Sequence, residues 1–412
     1  MADGITRIAV EGFKSISKRQ SIEIAPLTIL AGANSSGKSS IMQPLLMLKQ
    51  TLEAPYDPGP LKIDGPNVKF TSSEQFLSER GMSPRHLQVM VDTQGLKFEL
   101  TIVTGSEAGF EIEEETYEVV GSRVTLYPRM SSSALRHALQ SFKPLKDLAH
   151  HDFQVSRNRF FLNLNEEPWR SLTLEYPSHY IHSVIHVPGL RGLLSRTYPV
   201  ASTGPNFPGT FEYYVGSVIA AWQSENSEAA EALNHDLRYL GLANKIIARR
   251  LSEAEIDLRV NRLSDGGIED MISLADVGFG VSRIIPVLVA LRVAEEGRLV
   301  YLEEPEIHLH PRAHVKLADI LADAAKRGVR VVAETHSSLL LRAIQTLVAK
   351  GELSADLVRL HWFSRDNAGI TQVKSAVPDQ NGAFSGWPED FGDVNLQSEQ
   401  DYLDAVESKL TQ

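Results

Sequence analysis

A loop near the amino terminus constrains this chain more than any other feature. Residues 32–39 read GANSSGKS and match the pattern G-x-x-x-x-G-K-[ST] in full. In this pattern the glycines let successive main-chain N–H groups curl around a phosphate, and the following helix adds the positive end of its dipole. The apolar run 27–31 predicts a buried strand before the loop, and a helical pattern covers about 38–53 after it. Strand, loop and helix together predict a P-loop fold.

Two residues of this loop have separate predicted roles. Lys38 is expected to bridge the β- and γ-phosphates of a nucleotide, and the Ser39 hydroxyl to take one coordination position of Mg²⁺. The other loop residues are expected to cradle phosphate, and they are Gly32, Ala33, Asn34, Ser35, Ser36 and Gly37. The sequence thus predicts a site for a nucleoside triphosphate with its magnesium ion.

A second buried strand pattern ends in two consecutive carboxylates. Residues 298–306 read RLVYLEEPE, an apolar run followed by Glu303 and Glu304. Acids are common in solvated loops after strands, so alone this pair would be weak evidence for catalysis. Beside a phosphate-binding loop the catalytic interpretation is favoured. We assign Glu303 to holding Mg²⁺ through water, and Glu304 to orienting or deprotonating the attacking water.

A third strand pattern ends in polar residues at the start of a helix. Residues 331–338 read VVAETHSS, which places His336 where its side chain could reach the γ-phosphate or the attacking water. In the alternative interpretation Thr335 or Ser337 simply caps the next helix, and His336 is exposed without a role. The sequence leaves both interpretations open.

Two weaker motifs also lie next to predicted helices. Residues 276–283 read DVGFGVSR, and the G-x-G turn of Gly278 and Gly280 could offer a second helix N-terminus to a phosphate. His308 and His310 form an H-x-H pair that could bind a metal. No third ligand is evident nearby in the sequence, so we interpret this pair as part of a loop that shapes a subunit interface.

The chain divides into four segments by pattern. Patterns typical of α/β structure cover 1–60 and 266–378, and between them 61–265 holds alternating strand-like runs and helices. Residues 379–412 form an acidic tail. A chain of 412 residues is long enough for two or three domains. We therefore predict an α/β fold with a P-loop, interrupted by a large α+β insertion.

Composition excludes several classes of protein. There is no cysteine, which excludes a disulfide framework, a thiolate metal site and a cysteine nucleophile. The 41 Lys and Arg against 52 Asp and Glu give −11, which argues against a free-standing basic nucleic-acid binder. The tail carries eight acids and one base, −7, which leaves −4 for the rest. Without a signal segment or a long apolar run, we expect a soluble, cytoplasmic protein with no membrane association.

One part of the insertion is locally basic. Residues 121–161 contain seven bases and two acids, a net charge of +5, interleaved with four phenylalanines. The bases are Arg123, Arg129, Arg136, Lys143, Lys146, Arg157 and Arg159, and the phenylalanines are Phe142, Phe153, Phe160 and Phe161. Such a mixture suits contacts with the backbone and bases of DNA. An ordinary solvated face packed on a core would give the same pattern, so both interpretations stand.

Four motifs, taken in order, resemble the ABC-type heads of SMC (structural maintenance of chromosomes) and double-strand-break-repair ATPases: GANSSGKSS, DVGFGVSR, LVYLEEPEIHLHP and VVAETHSS. The EEPE-x-HLHP string is most similar to the overcoming-lysogenization-defect (OLD) family and related bacterial AAA-type defence ATPases. The PDQNG and WPEDF stretches of the tail resemble a Toprim-less branch of that group, with a C-terminal domain of unknown function. The resemblance covers roughly 1–60 and 270–395, and 61–265 only loosely.

The resemblance implies a P-loop NTPase head of the ABC type with a mixed β-sheet. It also implies ATP as the nucleotide and carries family roles to individual positions. These are Walker A at 32–40 (which adds Ser40), the Walker B acid at Glu303, the catalytic carboxylate at Glu304, the switch histidine at His336 and the signature loop at Gly278, Gly280 and Ser282. The chain departs from the family with Glu303 where Asp is commoner and Arg283 where Gln is frequent. Gln75 is one candidate for the Q-loop glutamine.

In such heads the signature loop of one subunit completes the nucleotide site of the other, so the resemblance implies an ATP-dependent homodimer. We expect an ATPase that senses or clamps DNA, in anti-phage defence or DNA repair, with a separate nuclease or other effector. The alternative is the ATPase subunit of a membrane transporter. A complete nuclease is disfavoured because the 76 residues after His336 hold no D-x-D pair, and a P-loop kinase would leave the signature motif unexplained.

Overall fold

The computed structural model describes residues 3–79, 85–105, 109–166, 170–172, 176–189, 196–261, 270–385 and 400–407. The strands in these ranges are β1 (Ile5–Glu11), β2 (Gln20–Glu23), β3 (Leu27–Gly32), β4 (His86–Thr93), β5 (Leu96–Thr104), β6 (Phe110–Val119), β7 (Ser122–Leu126), β8 (Gln154–Asn158), β9 (Phe161–Glu166), β10 (Arg170–Leu172), β11 (Ile185–Val187), β12 (Tyr198–Pro199), β13 (Lys245–Arg250), β14 (Glu255–Asn261), β15 (Met271–Ser273), β16 (Leu299–Glu303), β17 (Arg330–Thr335), β18 (Val358–Arg365) and β19 (Thr371–Ala376). The helices are α1 (Lys38–Leu52), α2 (Ser132–Ser141), α3 (Tyr176–His182), α4 (Val215–Ser224), α5 (Glu228–Leu240), α6 (Phe279–Val293), α7 (Pro311–Lys326) and α8 (Ser338–Ala349).

A six-stranded sheet in the order β11-β16-β17-β3-β18-β19 forms the centre of the head. Its first five strands are parallel and β19 is antiparallel to β18, so the predicted mixed sheet is confirmed. The carboxyl ends of parallel strands lie at one edge of a sheet, which is where α/β folds place their ligands. That edge brings together the loop after β3, the acids after β16 and the histidine after β17.

Successive residues of the central strands face two different cores, as the period-two geometry of a strand requires. Leu30, Tyr301 and Val332 pack with α1 and the antiparallel sheet on one face. Ile29 and Val331 pack with α6, α7 and α8 on the other face. Because both faces are covered, every residue of β3 and β17 is buried, which explains why these strands read as continuous apolar runs.

The second large sheet is antiparallel, in the order β2-β1-β4-β5-β6-β7. It joins strands from both sides of the predicted boundary at residue 60, because β1 pairs with β4. At the far edge of the central sheet β11, which lies within 61–265, pairs in parallel with β16. The predicted insertion therefore contributes strands to both sheets, and the boundaries 1–60, 61–265 and 266–378 do not separate them.

Most of the predicted elements occur where the sequence patterns placed them. The alternating run 256–260, followed by the DGG sequence at 265–267 and residues 271–274, predicts a hairpin. The structure has it as β14 paired with β15, although the turn lies outside the described residues. Of the acidic tail, 379–385 and the helical stretch 400–407 are described, and the WPEDF stretch at 387–391 lies outside them. None of the described helices is both long and apolar enough to cross a bilayer.

Candidate nucleotide site

The loop after β3 has a backbone that requires glycine at two positions. Gly32 and Gly37 have φ angles of +147° and +108°. A residue with a Cβ would be strained at these positive φ angles. A Cβ at Gly32 would lie 2.2 Å from the Phe363 carbonyl oxygen, and one at Gly37 would lie 2.5 Å from Thr371 Oγ1. Gly37 also forms the N-cap of α1. Together, β18, β19 and the start of α1 hold the loop in its curled form.

The curled loop borders a cavity of about 460 Å³. Lys38 lies in it almost fully buried, and its Nζ donates to the carbonyl oxygens of Gly32 and Ala33, each at 3.0 Å. Burial lowers the pKa of Lys38, and the charges of Glu334 and Glu304 offset this only in part. The Ser36 hydroxyl is buried and has no hydrogen-bond partner in the described part of the chain. A buried cation beside an unpartnered hydroxyl fits a phosphate group.

The structure brings Glu304 and His336 to the same cavity. Glu304 Oε1 lies 3.5 Å from His336 Nε2, and the Glu304 N–H donates to the Glu334 carbonyl at 2.8 Å. Burial and the charge of Lys38 lower the pKa of His336 against the opposing effect of Glu304, which favours the neutral imidazole. Glu304 has a φ of +44°, and strained backbone of this kind clusters at functional sites.

Glu303 points to other partners. Its Oε1 lies 3.2 Å from His186 Nε2, and its Oε2 accepts from the Gly189 N–H at 2.9 Å. His186 is buried, stacks on Tyr301 with ring centroids 5.4 Å apart, and places Nδ1 3.1 Å from Asn67 Oδ1. Burial raises the pKa of Glu303, but the bonds from His186 and Gly189 outweigh it and hold the pKa below its usual value. This lowered pKa favours the ionised form of the Glu303 carboxylate.

The Ser39 hydroxyl donates a hydrogen bond to Glu334 and not to Glu303. Our sequence analysis assigned no role to Glu334. The Ser39 Oγ lies 2.9 Å from Glu334 Oε1, and the Tyr301 hydroxyl donates to Glu334 Oε2 at 2.9 Å. Burial, together with the charge of Glu303, raises the pKa of Glu334 to about 7 against the bonds from Ser39 and Tyr301. Its signal in the sequence was an acid at the end of a buried strand pattern, directly before the motif that contains His336.

A buried contact holds His336 in place. Thr335 donates its hydroxyl to Glu306, and the Ser337 N–H donates to Thr335 Oγ1 at 2.9 Å. The Ser337 hydroxyl in turn caps α8 by accepting from the Leu340 N–H at 3.2 Å. Ser337 therefore caps the helix, while His336 borders the cavity and its role there stays a prediction.

Four further polar residues that our sequence analysis missed border the same cavity: Lys14, Ser15, Gln43 and Arg365. The Lys14 Nζ donates to Gln43 Oε1 at 2.7 Å and lies 4.8 Å from the centre of the Phe70 ring. Gln75, the Q-loop candidate, is exposed and exchanges hydrogen bonds with Thr71 instead. The structure does not bring it to the cavity.

The signature motif lies apart from the cavity within one chain. Gly278 is the exposed N-cap of α6, next to Phe279, which is 58% exposed. Gly280 is half-buried. Ser282 is fully buried, and its hydroxyl donates to the Phe279 carbonyl at 3.1 Å, so in this chain it faces the core. The exposed end of α6 therefore consists of main chain and the Phe279 ring, with the role of Ser282 still a prediction.

The H-x-H pair occupies the loop before α7. The His310 side chain caps α7 by accepting from the Arg312 N–H at 3.2 Å, and the His308 ring lies 5.9 Å from that of Phe279. No group of three or more His, Asp or Glu side chains suited to a metal occurs in the described ranges. The loop instead forms part of the surface around the start of α6.

The basic segment is only partly a surface feature. Its four phenylalanines are all buried in the core beside the antiparallel sheet, so stacking on bases by these rings is excluded. Arg157 pairs with Asp57, and Arg159 donates to the Ala54 carbonyl. Arg136 and Lys146 are exposed and border one surface depression with Asp147. What remains of the pattern on the surface, besides Arg157, is five exposed bases, Arg123, Arg129, Arg136, Lys143 and Lys146, of which Arg136 lies 3.9 Å from Asp152.

Two family models match parts of the chain. Residues 4–105 match the model described as AAA ATPase domain, and 221–342 match the model described as AAA domain, putative AbiEii toxin, type IV TA system. The first segment contains the loop with Lys38, and the second contains Glu304 and His336. These matches support an AAA-type ATPase. No curated protein sequence matches the chain.

Several solved structures are similar to this chain at low sequence identity. The SMC head bound to the C-winged helix domain of ScpA is 11% identical, with 91% of this chain and 98% of that chain covered and a TM-score of 0.51. This chain has the P-loop NTPase fold of an SMC head. The SMC head domain from Thermotoga maritima is 13% identical over 90% of this chain and 98% of that one, with a TM-score of 0.42. The SMC head with an extended coiled coil, bound to the C-terminal domain of ScpA derived from Pyrococcus furiosus, is 11% identical. The match covers 98% of this chain and 100% of that chain, with a TM-score of 0.46.

Proposed function

We propose that this ATPase binds and hydrolyses ATP as a homodimer, with each nucleotide held by one subunit and enclosed by the other. The observation that carries the proposal is the convergence of Lys38, Glu304 and His336 on one cavity below a glycine-rich loop. These side chains lie in segments that follow three separate parallel strands, and only folding brings them together. A phosphate-binding cation beside a paired carboxylate and histidine suits hydrolysis of a phosphoanhydride.

Each residue of the cavity has a defined part in this proposal. Lys38 and the N–H groups of the loop hold the β- and γ-phosphates. Glu304 accepts a proton from water while the oxygen of that water attacks the γ-phosphorus. The bond between the γ-phosphorus and the bridging oxygen, which leaves with ADP, breaks. Neutral His336, beside Glu304, orients that carboxylate. Mg²⁺, when bound, would neutralise charge on the phosphates, and Ser39 with a neighbouring carboxylate offers the hard oxygen ligands that it prefers.

The partner subunit contributes the start of α6 in this proposal. Gly278 and Phe279 are exposed at the N-terminus of a 15-residue helix, so its unbonded N–H groups face solvent. Such an end attracts a phosphate. Within one chain these residues are not among those that line the cavity, and a second copy is the simplest source of the phosphate.

A pair of variants at Gly278 tests the contact in trans. A Cβ at Gly278 meets open space, and its φ of −60° suits any residue, so Gly278→Asp and Gly278→Asn should both fold and cap α6. Only Asp places a negative charge against the partner's phosphates. We expect Gly278→Asp to lose ATP-dependent dimerisation and Gly278→Asn to keep it, as measured by light scattering with and without ATP. Equal dimerisation by the two variants would contradict the trans contact.

The proposed role of the dimer is to sense or clamp DNA, in defence or repair, together with a separate effector protein. Support for DNA contact comes from the exposed Arg136 and Lys146 on the surface depression beside α2. The motif likeness to the OLD family, and a family model whose description names a toxin–antitoxin system, support the defence role. The same proposal includes membership of this ATPase in an OLD-like group.

Charge reversal tests the basic surface. The double variant Arg136→Glu/Lys146→Glu should weaken duplex DNA binding at least about tenfold. The slope of log affinity against log salt concentration should become shallower by about the contribution of two phosphate contacts. The matched control is Lys350→Glu/Lys374→Glu, which changes the net charge equally at two exposed sites elsewhere. Electrophoretic shift assays over a salt series measure both. Equal losses in the two variants would show a general charge effect and not a binding surface.

A further inference from the structure

We propose that Glu334 is the carboxylate that holds Mg²⁺ together with Ser39, and that Glu303 positions the site from behind. The inference rests on the proposed function, because it requires that the cavity binds a nucleotide with its metal. It differs from the assignment that the motif order suggests, in which the first acid after β16 serves the metal.

Strand order places Glu334 nearer to the loop than Glu303. β17 lies between β16 and β3, and Glu303 and Glu334 are register partners on neighbouring strands. Neighbouring strands are about 4.8 Å apart, so a side chain from β17 is one strand spacing closer to the loop than a side chain from β16. The contacts agree with this order, because the Ser39 hydroxyl meets Glu334 Oε1 at 2.9 Å.

The partners of Glu303 hold it away from a metal position. Its Oε1 faces buried His186, and its Oε2 accepts from the main-chain N–H of Gly189. His186 is itself fixed by Asn67 and by stacking on Tyr301. The Tyr301 hydroxyl donates to Glu334 Oε2, so this layer of side chains supports Glu334 from below. Second-layer groups of this kind orient metal ligands in many proteins.

The charges around Glu334 also favour a cation. The carboxylates of Glu304 and Glu334 lie close to the ammonium of Lys38, whose Nζ donates to main-chain carbonyls, and Glu334 also lies close to the carboxylate of Glu303. Desolvated negative charge is costly unless a cation compensates it. A hydroxyl and a carboxylate that already meet at 2.9 Å present two oxygens suited to Mg²⁺.

The experiment compares nucleotide affinity with and without metal, using fluorescent mant-ATP in Mg²⁺ or in EDTA. The ratio of the two dissociation constants is the coupling between metal and nucleotide. For Glu334→Gln we expect this ratio to fall at least about tenfold, while binding in EDTA stays at least as tight as in the wild type. For Glu303→Gln, the change to the positioning acid on the neighbouring strand, the ratio should fall by a smaller factor than for Glu334→Gln, because Glu303 acts on the metal only through its neighbours.

The outcomes separate the inference from the function on which it rests. Retention of the ratio by Glu334→Gln, or a greater loss in Glu303→Gln, overturns the inference. Equal weakening of Glu334→Gln in EDTA and Mg²⁺ also overturns it, because that result indicates support of the loop alone. If Glu334→Gln does not fold, Tyr301→Phe takes its place and should lower the ratio to an intermediate value. An unchanged ratio in Tyr301→Phe would then contradict the inference. Absence of mant-ATP binding by the wild type would instead refute the proposed nucleotide site.

Discussion

Glu304→Gln should lower steady-state ATP hydrolysis at least about a hundredfold while ATP remains bound, because a general base contributes a factor of this size or more. The amide keeps the shape of the side chain and its place beside His336, but it cannot accept a proton from the attacking water. The structure favours this separation of binding from chemistry. Glu304 lies 3.5 Å from His336, whereas the phosphate-holding Lys38 bonds to the loop carbonyls.

The same variant should accumulate as an ATP-bound dimer. If hydrolysis is what releases the two subunits, blocking it leaves nucleotide between them, and light scattering should show twice the monomer mass with ATP. Glu295→Gln is the matched control, because it makes the same chemical change at an exposed position just before the opposite end of β16. Normal turnover by Glu304→Gln would refute its role as the base. An ATP-bound variant that stays monomeric would refute the trans contact of α6.

The sequence was sufficient for the parts of this site that lie within one strand–loop–helix unit. Residues 27–53 carried the pattern of β3, the loop and α1, and the structure has each of them. Glu304 and His336 were found in the same way, because each follows a continuous apolar run. Such runs reflect strands buried on both faces, a local signal that needs no knowledge of the neighbouring strands.

The sequence could not show which acid meets Ser39. That contact depends on β17 lying between β16 and β3, and strand order is a property of the whole sheet. The partner of Glu303 was equally hidden, because His186 lies far away in the chain on the short edge strand β11. Pairing of β1 with β4 across the predicted boundary at residue 60 is another non-local contact. A periodic pattern predicts an element and does not specify its neighbours.

The basic segment shows how one pattern can serve two purposes. Alternating basic and aromatic residues suggested a surface for DNA, but the rings of Phe142 and Phe160 are buried while Arg136 and Lys146 are exposed. Strands and short helices with one buried face produce this alternation by themselves. Only the positive charges therefore remain as evidence for DNA contact, which is why the test above reverses charge and leaves the rings unchanged.

Lys38→Ala should abolish ATP binding, with at least about a hundredfold loss of affinity, because it leaves two carboxylates facing the phosphates without their cation. The Lys38 ammonium is the charge closest to the loop, where its Nζ donates to the carbonyls of Gly32 and Ala33. A phosphate oxygen is a stronger acceptor for an ammonium than these neutral carbonyls are. Calorimetric titration with ATP measures the loss.

A second measurement distinguishes this loss of binding from a loss of folding. Desolvation of the Lys38 ammonium, which lowers its pKa, offsets its hydrogen bonds to Gly32 and Ala33, so Lys38→Ala should change the melting temperature of the nucleotide-free protein little. The rise in melting temperature that ATP gives the wild type should disappear, since that rise depends on binding alone. Lys14→Ala is the control at a second lysine that borders the cavity, where the ammonium donates to Gln43 and should contribute less. If ATP stabilised the Lys38→Ala protein as much as the wild type, Lys38 would not bind phosphate. The P-loop would then no longer be supported as the site of phosphate binding.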